Sequence, residues 1–422
     1  MLSPPVSLAN EPPEPEPGYA RRGPGKLILI AGGGIGGLAA ALALAKRGIA
    51  SHVLERRPAF AEDGAGIQIG PNGTKILAGL GVADQLRPLV SCPDALRVLD
   101  ATTGRDLARL PLGPWIERRH GAPYWVAHRQ DLHAALLARV REEPLVRVTA
   151  GAEVVAVLAD ADRVAARTAD GRTSAGDALV AADGLWSRLR SRFIDPAPPR
   201  FMGKSAARSV IPREAVPDKL RRNETHLWLA PGLHVVHYPV RAGAEVAMVV
   251  IFDDPNPSDE WGSAIDPAAL RDRARPAAED LRELIARPEA WRKWSLHALA
   301  SRRSWTRGRI TLLGDAAHPV LPFLAQGGVL ALEDAVVLAQ CLSAAGVDIA
   351  RGLGDYERRR RSRVRRVERA SRLNGRMYHL NGVPALLRDR ILAAVPPERI
   401  MAGYDWLYGW TLHSLSPLAG RG

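Results

Sequence analysis

The chain has 422 residues, a hydrophobic fraction of 46% and a formal net charge of +13 at pH 7. This length exceeds the size at which one hydrophobic core stops growing, so we expect two domains. The hydrophobic fraction is ordinary for a globular protein. We find no apolar run in the sequence long enough to span a bilayer, and we therefore expect a soluble protein. Cys92 and Cys341 lie far apart without metal-ligand spacing, which favours a reducing cytoplasm and no metal site.

Residues 1–25 are rich in proline and acidic residues and lack the apolar core of a signal peptide. We therefore expect a disordered extension. The following segment, residues 27–58, has the order apolar strand, glycine cluster, alanine-rich helix and second strand. The pattern predicts a strand at 27–31 and a helix at 38–47 that stops at Gly48.

The glycines of this segment match the G-x-G-x-x-G pattern of a βαβ unit that binds a dinucleotide. Gly32 allows a tight turn, Gly34 lets a pyrophosphate approach the backbone, and Gly37 lets the helix pack on the strand. The helix N-terminus attracts the phosphate charge. Glu55 ends the second strand, where a carboxylate accepts a hydrogen bond from a ribose hydroxyl. The type of dinucleotide stays open at this point.

Further along, residues 124–140 read as a strand that leads into a helix, with Arg129 at the junction. Short alternating strands follow, with a hairpin turn at Asp170-Gly171. The last of them breaks at Asp183-Gly184. Because α/β proteins bind ligands at the carboxyl ends of their strands, this turn is a candidate ligand contact, although alone it reads as an ordinary turn.

The segment 225–254 predicts three antiparallel strands, joined at residues 231–232 and 242–243. Alternation puts His234 and Tyr238 on one face of the middle strand and His237 on the other. At about 3.3 Å per residue, His234 and Tyr238 lie roughly 13 Å apart along the strand, enough to flank an aromatic ring. From spacing alone, both residues read more readily as core or surface positions.

A third glycine-containing cluster spans residues 308–342. It predicts a buried strand at 310–313, a proline-bearing loop and a helix that begins near Val329. Gly327 and Gly328 leave the helix N-terminus open to an electron-rich ring edge or an oxyanion. Asp315 is placed to accept from a polyol hydroxyl. Two acidic residues in the early turns, Glu333 and Asp334, read as partners of the helix dipole.

The arginine-rich run at 356–372 raises the alternative of nucleic-acid binding. No aromatic residue interleaves the run as a stacking platform requires. Glu357 and Glu368 place acids near arginines at helical spacing. The pattern therefore favours a solvated helix face or an anion-attracting rim.

Three motifs in this order resemble the class A FAD-dependent aromatic hydroxylases, of the salicylate hydroxylase, 3-hydroxybenzoate 6-hydroxylase and 6-hydroxynicotinate 3-monooxygenase type. They are G-x-G-x-x-G at 32–37, D-G-x-x-S-x-x-R at 183–190 and G-D-A-A-H-P at 314–319. The resemblance runs from about residue 26 to 375. It implies an α/β fold, with a Rossmann-type FAD-binding domain of the p-hydroxybenzoate hydroxylase type (GR2/PHBH-like), an interleaved β-sheet substrate domain and C-terminal helices.

The implied domain division interleaves the two domains along the chain. The FAD-binding domain takes residues 26–90, 126–200 and 296–345, the substrate domain takes 201–295 with strands from 91–125, and C-terminal helices take 346–422. The resemblance also puts the stretch 64–73 beside the isoalloxazine as a loop. Many members have Asn where Val329 stands, which leaves that flavin contact to the backbone.

The resemblance implies roles for single residues. His234 is the catalytic base, Tyr238 is the phenol that positions the substrate, and His318 is structural. Glu55 contacts the adenosine ribose, and Asp183 is held structurally or contacts the pyrophosphate region. Arg129 lies near the pyrophosphate and ribityl, Asp315 on the ribityl, and the 327–328 amides near the pyrimidine edge. The implied FAD-binding residues are Gly32, Gly34, Ile35, Gly37, Glu55, Arg56, Arg129, Asp183, Asp315, Gly327 and Gly328.

The implied function is a single-component, NAD(P)H-dependent monooxygenase. It hydroxylates a phenolic or N-heteroaromatic ring, with a carboxylate, through a flavin C4a-hydroperoxide. Its partners are the small aromatic substrate, NADH or NADPH, and dioxygen. The alternatives are an enzyme of the same fold that oxidises or epoxidises a larger natural product, and a non-catalytic flavin redox sensor. The sequence leaves open the ring, the position hydroxylated, the choice of NADH or NADPH, an accompanying decarboxylation, and monomer or homodimer.

Overall fold

The computed structural model describes residues 26–60, 65–258, 260–299 and 304–414. The extension predicted at residues 1–25 lies outside the described residues. The strands in these ranges are β1 (Leu27–Ala31), β2 (Ala50–Leu54), β3 (Gly66–Ile69), β4 (Ala95–Asp100), β5 (Asp106–Pro111), β6 (Trp125–His128), β7 (Val146–Thr149), β8 (Val154–Ala159), β9 (Val164–Thr168), β10 (Thr173–Gly176), β11 (Ala178–Ala181), β12 (Arg200–Pro212), β13 (Thr225–Ala230), β14 (Leu233–Val240), β15 (Glu245–Asp253), β16 (Ser263–Ile265), β17 (Trp291–Ala298), β18 (Thr306–Arg307) and β19 (Ile310–Leu312).

The α-helices connect and cover these strands. They are α1 (Ile35–Ala45), α2 (Pro71–Leu80), α3 (Ala83–Leu86), α4 (Gly113–His120), α5 (Arg129–Arg141), α6 (Pro267–Arg273), α7 (Glu279–Ala286), α8 (Gly327–Ala344), α9 (Ile349–Tyr378), α10 (Gly382–Ala394), α11 (Pro397–Ala402) and α12 (Asp405–Tyr408).

One sheet has six strands in the order β18-β19-β11-β1-β2-β7. All of its pairs are parallel except that of the edge strand β18. The central strand β1 is apolar and nearly fully buried, as expected for a parallel strand covered on both faces. The register pairs Ala31 with Ala181 and Ala181 with Leu312, so three strands end at the same level. The three sequence motifs, which follow these strands, therefore meet at one edge.

Two predicted helix starts lie too late in the chain. Helix α1 begins at Ile35, three residues before the predicted position, and α8 begins at Gly327, two residues early. The prediction began each helix after its last glycine because glycine has low helix propensity. Here the glycines themselves form the first turn. Gly48, with φ +70°, follows α1 as predicted.

The second sheet has eight strands in the order β16-β17-β12-β15-β14-β13-β4-β5. The three strands predicted in 225–254 are present as β13, β14 and β15, and they pair antiparallel. Helices α6 and α7 pack on one face through Leu270, Leu281 and Leu284, against Val235 and Val250 of the sheet. The opposite face of the sheet is left to line a cavity.

The resemblance implied that the stretch 64–73 is a loop. The structure differs from this expectation. The stretch forms strand β3, which pairs antiparallel with β6, and the first turn of α2. Gly64 lies outside the described residues. Strand β3 needs Gly66, because a Cβ there would come within 2.4 Å of the Tyr238 ring. The sequence reading missed the strand because glycines dominate the segment.

Helix α8 is held in the core by ion pairs, and this corrects two predictions. Glu333 and Asp334 are fully buried and bond to Arg360 of α9 at 2.8 and 2.6 Å, so they are not partners of the helix dipole. Arg363 also bonds to Glu333, at 2.8 Å. Arg360 and Arg363 are buried, so the solvated face expected for the 356–372 run is formed by its other arginines. Glu357 does pair with an arginine one turn later, at 3.0 Å.

Among the described residues, α8 alone has the length and apolarity of a membrane span. The sequence interpretation, which recognised no such run, is wrong on this point. Most of the helix is buried inside the protein, and its fully buried Glu333 and Asp334 pair with an arginine of α9. The helix is therefore explained as a core helix of the fold.

Candidate active site

A cavity of about 730 Å³ lies between the carboxyl edge of the six-stranded sheet and the open face of the eight-stranded sheet. All the site residues predicted from the sequence line it, except Gly37. The lining residues among them are Gly32, Gly34, Ile35, Glu55, Arg56, Arg129, Asp183, His234, Tyr238, Asp315, Gly327 and Gly328. The fold thus brings segments far apart in the chain to one space.

One end of the cavity is a cradle of glycine backbone. Gly32 has φ +114°, and a Cβ on it would lie 2.3 Å from the carbonyl oxygen of Ala182. A Cβ on Gly37 would lie 1.9 Å from the carbonyl oxygen of Gly32, so Gly37 serves close packing and does not line the cavity. Gly34 is the N-cap of α1 and provides no side chain to cap the helix. The first N–H groups of α1 therefore face an open space, as an anion site requires.

Glu55 is fixed at the end of β2, beside this cradle. Its Oε2 accepts a hydrogen bond from the Gly33 N–H at 2.6 Å, and its Oε1 accepts from the Arg57 N–H at 2.9 Å. Each carboxylate oxygen has two lone pairs, so both can accept a further bond. Glu55 and its neighbour Arg56 both line the cavity. The predicted ribose contact is therefore compatible with these backbone bonds.

Asp183 lies at the end of β11 and is largely buried. Burial raises the pKa of its carboxyl above the usual value, although the Ser187 hydroxyl and the Leu189 N–H act in the opposite direction. Its Oδ1 atom is buried and has no hydrogen-bond partner among the described residues. Because an unpaired buried oxygen costs free energy, this atom points to a ligand that supplies a donor.

Arg190 explains why the second and third motifs occur together. Its guanidinium is buried and donates to the carbonyl oxygens of Leu185 at 2.9 Å and Ala316 at 3.3 Å. The backbone N–H of Arg190 donates to the Ser187 hydroxyl at 2.8 Å. Arg190 therefore ties the turn after β11 to the turn after β19, and it positions the site without lining the cavity.

The N-terminus of α8 forms another part of the wall. Gly327 and Gly328 line the cavity together with Asp315, whereas Val329 is buried in the core. A Cβ on Gly328 would lie 2.8 Å from Cδ1 of Ile67 on β3, so only glycine allows this approach. Arg129, the first residue of α5, also lines the cavity.

His318 has a structural place, as the sequence interpretation expected. Its Nε2 lies 2.6 Å from Oδ2 of Asp334, and that oxygen also accepts the Gly314 N–H at 3.0 Å. Burial alone would lower the pKa of His318, but the Asp334 carboxylate outweighs it and raises the pKa. The pair holds the turn after β19 against α8, and His318 does not line the cavity.

The other end of the cavity is walled by the eight-stranded sheet. His234 and Tyr238 of β14 face the cavity, and Val236 lies between them. His237 points to the opposite face, where its ring stacks on His226 with centroids 4.3 Å apart. The alternation predicted from the sequence therefore separates His234 from His237.

His234 is almost completely buried among aromatic rings, with Phe323 at 5.5 Å and Tyr378 at 5.3 Å between centroids. Its Nδ1 lies 2.6 Å from Nε2 of His379, which directly follows α9. Burial lowers the pKa of His234 well below its usual value, and the positive charge that His379 and Lys204 can carry adds to the effect. The imidazole is therefore neutral near pH 7.

Tyr238 is a neutral phenol in this site. Burial raises its pKa to about 12, although Arg208 and a hydrogen bond with Gln68 act in the opposite direction. The Gln68 side chain also accepts from the hydroxyl of Tyr124 at 2.6 Å. The Tyr238 hydroxyl is thus held at the wall of the cavity, where it can contact a ligand.

Sequence reasoning missed Arg208, which lines the cavity, and His379, which contacts His234 from outside the lining. Arg208 of β12 lines the cavity, and the register of β12, β15 and β14 places it level with Val236. Its guanidinium carbon lies 5.3 Å from the centre of the Trp294 ring, and its Nε has no hydrogen-bond partner among the described residues. Strand alternation could have identified Arg208, but no local pattern points to His379.

The residues present fit a flavin dinucleotide. The glycine cradle and the open N-terminus of α1 suit a pyrophosphate, and the unpaired Oδ1 of Asp183 lies beside them. The N-terminus of α8 can receive an electron-rich ring edge. The remaining space, walled by His234, Tyr238 and Arg208, can hold a small ring.

A comparison with protein families matches residues 27–371 to the model described as "FAD binding domain". The chain is 36% identical to 3-hydroxybenzoate 6-hydroxylase of Polaromonas naphthalenivorans (strain CJ2), over 91% of this chain and 96% of that protein. It is 34% identical to 6-hydroxynicotinate 3-monooxygenase of Bordetella bronchiseptica (strain ATCC BAA-588 / NCTC 13252 / RB50), over 82% of this chain and 91% of that protein. The fold resembles Klebsiella pneumoniae HpxO complexed with FAD and uric acid, with a TM-score of 0.77 and 28% identity over 90% of this chain and 95% of that one.

Proposed function

Because this chain belongs to the FAD-binding-domain family and is an FAD-dependent monooxygenase of the aromatic hydroxylase class, we propose that it hydroxylates a phenolic or N-heteroaromatic ring that carries a carboxylate. NADH or NADPH and dioxygen are the co-substrates that we propose. The family, the fold class and the cofactor predicted from the sequence are confirmed. A non-catalytic sensor is not supported, since the named relatives are enzymes.

FAD, when bound, supplies the transfer of electrons from the nicotinamide to dioxygen and of one oxygen atom to the ring. The protein binds and orients the two partners. The glycine cradle would hold the pyrophosphate of bound FAD, and the amides at the N-terminus of α8 would bind near its pyrimidine edge. The apolar wall of the cavity, formed by Leu227, Leu229 and Ile251, excludes water from the ring.

Two polar groups orient the ring in this proposal. The guanidinium of Arg208 pairs with the substrate carboxylate, since an arginine presents several donors in a fixed geometry that matches a carboxylate. Nε2 of His234 contacts the ring hydroxyl and favours its anionic form, which makes the ring a better nucleophile. Either a base or a donor at Nε2 achieves this. Tyr238 positions the ring from the same strand.

The observation that carries the proposal is that one cavity is lined both by the residues predicted to bind FAD and by the side chains proposed to bind the substrate. His234, Tyr238 and Arg208 face the same space that the glycine cradle and the α8 N-terminus line. A ring held by these side chains therefore lies next to the flavin. The free Cys92 and Cys341 fit a reducing cytoplasm, which is the compartment that we propose.

The test is a screen of NAD(P)H oxidation by the FAD-loaded protein with hydroxybenzoates, salicylate and hydroxynicotinates, followed by identification of the product. We expect one class of aromatic acid to accelerate NAD(P)H oxidation and to be recovered with one added hydroxyl group. Benzoate, which lacks the ring hydroxyl, is the matched control. If no aromatic acid accelerates oxidation, the proposed substrate class is wrong and a larger natural product must be considered.

A further inference from the structure

A chain of hydrogen bonds connects His234 with the surface of the protein. Nδ1 of His234 meets Nε2 of His379 at 2.6 Å, and Nδ1 of His379 meets Nζ of Lys204 at 2.7 Å. Lys204 also forms an ion pair with Asp253. The side chain of Asp253 is 64% exposed, so this series of hydrogen bonds runs from the buried cavity to solvent.

The donors and acceptors along this chain can be assigned from its outer end. An ammonium group has three N–H donors and no acceptor, so Lys204 donates to Nδ1 of His379. A neutral imidazole has one N–H, so His379 carries its hydrogen on Nε2 and donates to Nδ1 of His234. His234 then carries its own hydrogen on Nε2, its other ring nitrogen.

We propose that Lys204 and His379 are positioning residues that fix the tautomer of His234, so that its Nε2–H donates a hydrogen bond into the cavity. This inference rests on the proposed function, and it decides the question left open there. His234 is a donor to a phenolate oxygen and does not take the phenolic proton. That proton leaves to solvent when the substrate binds.

The surroundings of His234 allow this assignment. On the neighbouring strands β13 and β15, the residues paired with His234 are Leu229 and Ile251, and both are apolar. From the C-terminal part of α9, Tyr378 packs edge-on against the ring, and burial raises its pKa, so that it stays neutral. The titratable or charged groups around the imidazole are therefore His379, Lys204 and Tyr378, with Asp253 behind Lys204.

The opposite arrangement requires a different charge on Lys204. For Nε2 of His234 to accept a proton, Nδ1 of His234 must donate to His379, and Nδ1 of His379 must donate to Lys204. Lys204 would then have to be a neutral amine that accepts a hydrogen bond. A neutral amine would form no ion pair with Asp253, whereas the structure shows that pair.

The first test reads the tautomer in the FAD-loaded enzyme without substrate. Nitrogen-15 NMR of labelled histidines distinguishes a protonated from an unprotonated ring nitrogen, and His234→Gln identifies the signals. We expect hydrogen on Nε2 of His234 in the natural protein and in Lys204→Arg, which keeps a donor without an acceptor. In Lys204→Met we expect this single tautomer to be lost. Lys219→Met, at an exposed ion pair elsewhere, is the control.

Hydrogen on Nδ1 of His234 in the natural protein would overturn the proposal. A spectrum that Lys204→Met leaves unchanged would overturn it as well. Because this measurement needs no substrate and no turnover, its result is independent of whether the proposed function holds.

The second test measures the bound substrate, with 3-hydroxybenzoate as the probe and the oxidised enzyme. We expect the apparent ionisation constant of the bound phenol, followed by phenolate absorbance against pH, to be at least about tenfold larger than in water. Each phenolate formed is accompanied by one proton released to the buffer, counted by calorimetry in buffers of different ionisation enthalpy. Lys204→Met loses the shift, and Lys204→Arg keeps it.

Phenolate formation without proton release would mean that His234 keeps the proton as a base, and it would overturn the donor assignment. An unshifted ionisation constant would also overturn it. If neither 3-hydroxybenzoate nor any other aromatic acid binds, the proposed function fails, while the imidazole spectrum still decides the tautomer.

Discussion

The phenol ring of Tyr238 lies directly over Gly66, where a Cβ would come within 2.4 Å of ring atom Cε2 and 2.6 Å of the hydroxyl oxygen. Such distances are far below van der Waals contact. Gly66 therefore sets the position of Tyr238 although it belongs to a different sheet. The relationship connects β3, which touches the start of α8 through Ile67, with the wall that holds the substrate.

We expect Gly66→Ala to displace Tyr238 and to impair substrate positioning. Because a small misplacement of a positioning group costs up to about 100-fold in rate, kcat/KM for the aromatic substrate is expected to fall by roughly 10- to 100-fold. FAD content is expected to stay near that of the natural protein. The control is Gly79→Ala on α2, where a Cβ meets nothing within 4 Å. Unchanged kcat/KM in Gly66→Ala would show that Tyr238 does not position the substrate.

Replacement of Gly34 by Val is expected to abolish FAD binding in a folded protein. Gly34 lines the cavity at the N-terminus of α1, so a branched side chain there occupies the place of the pyrophosphate. Flavin absorbance per chain, together with circular dichroism, tests both parts. A yellow Gly34→Val protein with one flavin per chain would contradict the predicted pyrophosphate site.

For Asp315→Ala we expect weaker retention of FAD through a lost hydrogen bond to the ribityl chain. Such a bond contributes about 0.5 to 1.5 kcal/mol, or up to roughly 3 kcal/mol when it is charge-assisted, which corresponds to a Kd about tenfold higher or more. Titration of apoprotein with FAD measures it, and Asp84→Ala, at an almost fully exposed carboxylate, is the control. An equal Kd in both variants would exclude the ribityl contact.

His234→Ala is expected to keep FAD and to accept reducing equivalents, but to lose ring hydroxylation by about 10²- to 10³-fold, the usual cost of removing one hydrogen-bond donor to an oxyanion. NAD(P)H would then be consumed to form hydrogen peroxide. High pH is expected to restore part of the hydroxylation, because the phenol then ionises without help. His237→Ala, on the opposite face, is the matched control and is expected to stay coupled. The ratio of product to NAD(P)H across pH decides, and full coupling in His234→Ala would place the active face elsewhere.

Asp334→Asn is expected to lower the free energy of unfolding by about 3 to 5 kcal/mol near neutral pH, because it leaves the buried Arg360 and Arg363 to share one carboxylate, that of Glu333. Burial raises the pKa of Asp334, but His318 and Arg360 outweigh it and lower the pKa to about 2. Its contribution is therefore complete above the unfolded value of about 3.9 and is lost as the pH falls through about 2.

Urea unfolding at neutral pH and near pH 3 measures this contribution. We expect the difference between Asp334→Asn and the natural protein to shrink at the lower pH. Asp280→Asn, at an exposed ion pair, is the control and is expected to change little. A difference that grows on acidification would contradict the lowered pKa.

Much of the nucleotide end of the site could be predicted from the sequence, because short-range patterns determine it. An apolar parallel strand followed by glycine or Asp-Gly places its turn at the carboxyl edge of a sheet, whichever strands become neighbours. Gly32, Asp183 and Asp315 could therefore be assigned to one edge. Alternation within β14 likewise separated His234 from His237.

The parts that failed depend on contacts between distant segments. Arg360 and Arg363 read as solvated because their partners lie on another helix, and a buried carboxylate cannot be recognised from its own neighbours. His379 becomes meaningful only when the end of α9 reaches β14. Gly66 reads as a loop residue until the ring of Tyr238 is placed on it.

The meeting of three chain segments at one sheet edge has a consequence for biogenesis. Gly32, Asp183 and Asp315 approach one another only in the folded chain, and both described cysteines are free, so no disulfide joins these segments. A flavin that touches all three acts as a non-covalent cross-link. A ligand that binds only the native state stabilises it in proportion to the logarithm of its concentration. We therefore expect a smaller fraction of this protein to be folded where FAD is scarce.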